Sequence, residues 1–117
     1  MAVRRVVANI ACADPGALAG FYADLFGLEL AMDLGWIATL TGGGTAPVHL
    51  SLASEGGSGT PVPGISIEVD DLDAVHRRAL SRGLTVDYGP VEEPWGVRRF
   101  YLRDPAGTLV NVLAHAE

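Results

Sequence analysis

The chain is 117 residues long, the size of one domain, and 49 % of it is hydrophobic, enough for a real core. Its net charge is −6, and all eight basic residues are arginines with no run longer than a pair. That argues against a nucleic-acid partner, whose phosphates call for clustered positive charge. No apolar window approaches the roughly 18 residues of a membrane span. Arg4 and Arg5 are not followed by the apolar stretch of a signal peptide. The single cysteine, Cys12, has no internal disulfide partner, and these features together point to a cytoplasmic protein without a membrane partner.

In chain order, Arg5 to Cys12 reads as a strand, with Cys12 a small buried hydrophobe rather than a nucleophile. Asp14 followed by Pro15 predicts a helix start, and Leu18, Phe21, Tyr22 and Leu25 form an apolar stripe that Gly27 terminates. Leu28 to Met32, Trp36 to Thr41 and Val48 to Ala53 are short segments separated by glycine-rich turns and read as three strands. The pattern then recurs. Ile65, Ile67 and Val69 alternate with Ser66 and Glu68 in a strand. Asp70 and Asp71 offer a helix cap, Leu72, Val75, Ala79 and Leu80 form a stripe, and Gly83 ends it. Leu84 to Tyr88, Val97 to Arg103 and Thr108 to Ala114 are three further strands, the last two joined by the turn sequence from Asp104 to Gly107.

Asp14 matches Asp71 and Gly27 matches Gly83, a period of about 57 residues that fills the chain twice. The fold expected is α+β: two tandem β-α-β-β-β modules forming a cupped, mostly antiparallel sheet with a groove. The whole chain, 1–117, is then one domain, with module one over about 1–55, a linker over about 56–63 and module two over about 64–117. One helix covers one face of each module's strands, and the other face is left for a ligand.

Three segments carry a family likeness. "DPGALAGFYADLFGLEL" from Asp14 to Leu30, "IEVDDL" from Ile67 to Leu72, and "FYLRDPAG" from Phe100 to Gly107 with "LVNVL" after it resemble the vicinal-oxygen-chelate superfamily. Within it, "EPWGVRRFYLRDPAG" is most similar to the glyoxalase-like and bleomycin-resistance-like branch. The resemblance implies a homodimer. It also implies a divalent metal held by His, Glu or Gln on the first strand of each module, by Glu on the last strand and, in some members, by a fourth-strand side chain. By motif spacing those positions fall on Val7, Gly64 and Asn111, with His49 near the fourth. Valine and glycine side chains cannot ligate, and asparagine anchors a divalent ion poorly. No cofactor is therefore expected, and a rebuilt metal site from His49, Glu68 and one further donor is the lesser alternative.

Strand alternation puts Asn9, His49, Ser51, Ser66, Glu68, Arg99, Tyr101 and Asn111 on the groove face, with Trp36 and Trp95 at its rim. Of these, Trp36, His49, Glu68, Trp95, Arg99, Tyr101 and Asn111 are the candidate ligand-binding residues. A polar and aromatic surface of this kind suits a planar aromatic or heterocyclic molecule. Glu68 reads as a general base or as the ion-pair partner of Arg99, with the pair favoured. Arg98 and Arg99 read equally as anion binders or as exposed strand charges, Trp95 as a stacking residue or as packing, His76 as part of a solvated face and His115 as frayed. The function expected is binding or sequestering a small organic ligand. The alternative is a lyase, isomerase or dioxygenase of the vicinal-oxygen-chelate type that uses His49 and Glu68 as catalytic groups.

Overall fold

Local chemistry sets both helices. In the computed structural model, which describes residues 2–44 and 46–115, α1 (Pro15–Phe26) starts where the Asp14 carboxylate accepts the Ala17 N–H at 3.2 Å. It ends at Gly27, whose left-handed backbone (φ 68°) lets its N–H return to the Ala23 carbonyl. α2 (Leu72–Ser81) repeats the device, with Asp71 accepting the Ala74 N–H at 3.1 Å. No described helix is long and apolar enough to cross a membrane.

Among the described residues eight strands accompany them: β1 (Val3–Ala11), β2 (Glu29–Asp33), β3 (Ile37–Gly42), β4 (Val48–Ala53), β5 (Ile65–Val69), β6 (Val86–Glu92), β7 (Val97–Arg103) and β8 (Leu109–His115). Two β-α-β-β-β modules in tandem are thus present, as the repeat predicts. The chain divides into two compact units. One is Val7–Val62; the other joins the start of the chain, up to Val6, to the segment from Pro63 onward.

In the first unit the strands run β2-β3-β4-β1, with β1 parallel to β4 and the other ladders antiparallel. Its core places Ala19 of α1 among Ala38, Leu40 and Leu52, with Ile10, Cys12, Leu18, Tyr22 and Ala23 packed around them. The stripe expected from sequence is half right. Leu18 and Tyr22 pack inward, but Phe21 (56 % exposed) and Leu25 (63 % exposed) face outward. Ala19 and Ala23 take the inward positions, because small side chains let the helix backbone come close to the strands.

The second unit orders its strands β5-β8-β7-β6, again with one parallel ladder (β5 with β8) and two antiparallel ones. Phe100 is fully buried with Val69, Leu72, Ala79, Val110 and Val112. Leu80, expected in the stripe, is exposed. His76 takes its place instead of lying on a solvated face: half-buried, it sets its ring edge-on to Phe100 at 5.1 Å. Leu72, Val75, His76 and Ala79 are spaced i, i+3, i+4, i+7, the inward row of one helix face. The strand expected over Leu84 to Tyr88 lies further along, at Val86–Glu92. It passes through Gly89 and Pro90 with two irregularities in register against β7. At the margin of this unit's ladder a proline removes no shared hydrogen bond, so a sequence that reads as a breaker still pairs.

Two carboxylates fasten surface segments within the second unit. Asp70 accepts the Ala2 N–H at 2.7 Å, and this bond holds its carboxyl below the usual carboxylate range. Asp73 lies 2.6 Å from the Arg98 guanidinium, whose hydrogen bond and positive charge lower its carboxyl likewise.

Candidate functional site

The register of the second unit decides which side chains share the face opposite α2. Ser66 pairs with Asn111, Asn111 with Tyr101, and Tyr101 with Tyr88, so these four form one row across four strands. Glu68, Leu113, Arg99 and Val91 form the next row. Ile67, Val112 and Phe100 alternate to the other side and enter the core against α2.

Arg99 is the centre of this face. It is 2 % exposed, and its ion-pair partner is Glu93, also buried. Its Nε donates to Glu93 Oε2 at 2.8 Å, its Nη2 reaches the same oxygen, and its Nη1 donates to the Tyr101 hydroxyl at 2.9 Å. The Tyr88 hydroxyl donates to the Glu93 carboxylate at 3.2 Å. The guanidinium carbon also lies 4.9 to 5.4 Å from the ring centres of Tyr101, Trp95 and Tyr88, within cation–π range. Glu93 and Trp95 reach this place because the β6–β7 connection is a tight turn. The Glu93 N–H donates to the Val97 carbonyl at 2.8 Å and the Gly96 N–H to the Glu93 carbonyl at 3.1 Å. A buried arginine is thus neutralised, hydrogen-bonded and boxed by three rings, the arrangement that a buried charge requires.

Beside this box, Asn111 donates from Nδ2 to Ser66 Oγ at 3.1 Å, while its buried Oδ1 has no hydrogen-bond partner among the described residues. Glu68 does not pair with Arg99, which corrects the pairing favoured from sequence. Its carboxylate lies 3.1 Å from Arg5 Nε and 3.0 Å from His115 Nδ1. The physical reason is the turn: it delivers Glu93 beside Arg99, whereas Glu68 sits two strands away, where the start of β1 supplies Arg5 and the end of β8 supplies His115. His115 is accordingly the last residue of β8 and carries a contact of its own. Arg98, on the opposite side of β7 from Arg99, is the more exposed member of the arginine pair.

In the first unit, the face opposite α1 carries Asn9, Ser51 and Thr39, which pair in register; Thr39 and Ser51 share a buried hydroxyl bond at 2.8 Å. His49 pairs with Thr41, and its buried Nδ1 has no partner among the described residues. Trp36 is half-buried just before β3, and its carbonyl accepts the Ser54 N–H at 2.9 Å. The seven candidates from sequence therefore divide. Glu68, Trp95, Arg99, Tyr101 and Asn111 share the second unit's face, and Trp36 and His49 belong to the first. Sequence reasoning missed Glu93 and Tyr88. A signal was available: Glu92-Glu93 and Arg98-Arg99 flank a Pro-Trp-Gly turn, so closing that hairpin sets two carboxylates opposite two guanidiniums.

The model of the Glyoxalase/Bleomycin resistance protein/Dioxygenase superfamily matches residues 4–112. The chain belongs to this superfamily. No curated protein is similar in sequence. Three solved structures share the superfamily fold over nearly the whole chain. One is the structure described as the NAD-dependent benzaldehyde dehydrogenase from Legionella pneumophila, with 15 % identity, TM-score 0.78 and coverage of 95 % of this chain and 99 % of that one. Another is a variant of Streptomyces coelicolor methylmalonyl-CoA epimerase in complex with 2-nitronate-propionyl-CoA, at 23 %, 0.73, 99 % and 100 %. A third is a glyoxalase/bleomycin resistance protein/dioxygenase superfamily member from Vibrio splendidus, at 19 %, 0.66, 97 % and 99 %.

Members of the superfamily often use a divalent metal, and this chain's residues do not fit one. Val7 is a buried apolar side chain, Gly64 has no side chain, and the Asn111 amide is tied to Ser66. Among the described residues no three His, Cys, Asp or Glu side chains converge as a ligand set. The donors that the expected positions offer, one amide and one imidazole, are a poor set for a divalent ion.

Proposed function

We propose that the protein binds a small, flat aromatic or heterocyclic molecule on the face opposite α2, without a metal. The observation that carries this reading is the Arg99 box. Tyr88 and Trp95 are half-buried, their rings lie against the Arg99 guanidinium, and the Tyr88 hydroxyl is tied to Glu93. Rings fixed in this way stack on a planar ligand without the entropic cost of being ordered. Arg99 and Tyr101 then serve as the buried support of the site, and Trp95, Tyr88 and Asn111 as its contacts.

Benzimidazole is a suitable probe, read by tryptophan fluorescence. We expect quenching that persists in Trp36→Phe and disappears in Trp95→Phe. Quenching that follows Trp36 instead would place the ligand in the first unit and overturn the proposal.

The unpartnered His49 Nδ1 favours a second reading, an enzyme in which His49 exchanges a proton with the substrate. Glu68 serves this less well, because Arg5 and His115 occupy its carboxylate.

A homodimer is part of the first reading. β2 ends the first unit's ladder and carries the exposed Leu30 and Met32, next in sequence to the exposed Phe21, Leu25 and Phe26 of α1. Apolar strand margins of this kind call for cover. Sedimentation at micromolar concentration should give the mass of two chains; a monomer alone would contradict it.

A further inference from the structure

We infer that the ligand is a hydrogen-bond donor without negative charge, a ring N–H or an amide N–H that donates to Asn111 Oδ1; this rests on the binding reading above. Three observations lead there. First, Asn111 is 8 % exposed, and its Oδ1 is buried without a partner among the described residues, while Nδ2 is committed to Ser66 Oγ. A buried acceptor left without a donor is costly, so the group that supplies the donor gains that energy as affinity. Second, Asn111 stands in the middle of the Ser66–Asn111–Tyr101–Tyr88 row, so a planar molecule lying along the row brings its edge to Oδ1 and its face to the half-buried Tyr88. Third, the face attracts no anion. Arg99 is balanced by Glu93 and spends further donor capacity on Tyr101, and Arg5 is balanced by Glu68. A carboxylate or phosphate arriving here would meet acceptor oxygens, including Asn111 Oδ1 and the Glu93 carboxylate, rather than an uncompensated cation. Ligand class is therefore set by what the last strand carries. A glutamate at this position would chelate or repel; an amide with its oxygen unpaired selects a donor.

Three probes of similar shape test this: benzimidazole, 1-methylbenzimidazole and benzoate, titrated calorimetrically into the wild-type protein and into Asn111→Leu and Asn111→Asp. In the wild type, benzimidazole should bind about tenfold more tightly than its N-methyl analogue, the worth of one hydrogen bond to a buried acceptor. Benzoate should bind more weakly than either. The benzimidazole preference should collapse in Asn111→Leu and persist in Asn111→Asp, which keeps acceptor oxygens. The wild-type comparison stands alone should a variant fold poorly. Equal binding of benzimidazole and its N-methyl analogue, or tighter binding of benzoate, would overturn the inference and leave the binding reading intact. Failure of all three probes would overturn both.

Discussion

Replacing Glu93 by alanine should lower the stability of the folded protein by about 3–5 kcal/mol in denaturant unfolding, more than any surface substitution. The reason is asymmetry. With Glu93 present, Arg99 is neutralised at Nε and Nη2 in a place where both side chains are 3 % exposed. With Glu93 gone, a guanidinium remains buried against three aromatic rings and has lost the carboxylate that meets it at Nε and Nη2. Cation–π attraction offsets only about 0.5–2 kcal/mol of that cost. The double variant Glu93→Ala, Arg99→Met should recover most of the loss, because it removes the stranded charge and leaves an apolar side chain among Tyr88, Trp95 and Tyr101. A Glu93→Ala loss below about 1 kcal/mol would mean that the pair behaves as a solvated one.

Gly89→Ala should be comparably damaging, for a backbone reason. Gly89 has φ 77°, where an L side chain is strained by about 1–2 kcal/mol. In addition, a methyl group there would lie 2.5 Å from the Arg99 carbonyl oxygen and 3.1 Å from Phe100 Cα, both on the β7 backbone. That backbone cannot yield without moving Arg99 and the fully buried Phe100, so the combined cost is about 2–4 kcal/mol. Gly27→Ala is the control. Its φ is similar, 68°, but nothing lies within 4 Å of the added carbon, so only the conformational cost applies. Equal losses at the two positions by thermal unfolding would show that crowding at Gly89 is unimportant.

Both substitutions bear on what could be read from the chain. The repeat, the two caps at Asp14 and Asp71 and the stop at Gly27 are local devices, and local chemistry reveals them. β4, β5 and β7 lie where alternation puts them, because each has one apolar side against a helix. The family likeness was legible in the order of its segments, and the match over residues 4–112 agrees with it. Less legible was the span between Leu84 and Trp95. The expected strand stops at Tyr88, before Gly89 and Pro90, whereas the segment goes on pairing with β7 and returns Glu93 to Arg99. Which carboxylate reaches Arg99 depends on that geometry, so the sequence favoured the wrong one. The choice between Phe21 and Ala19 as the inward side of α1 was hidden for a related reason: both lie on helical spacings, and only the closeness of helix and strands decides.

On the function we propose, the second unit's aromatic face holds an organic ligand without help from a metal. The most direct measurement is the affinity for benzimidazole before and after exhaustive chelation. The same dissociation constant is expected in both states. Loss of binding on chelation, restored by one equivalent of a divalent ion, would contradict it.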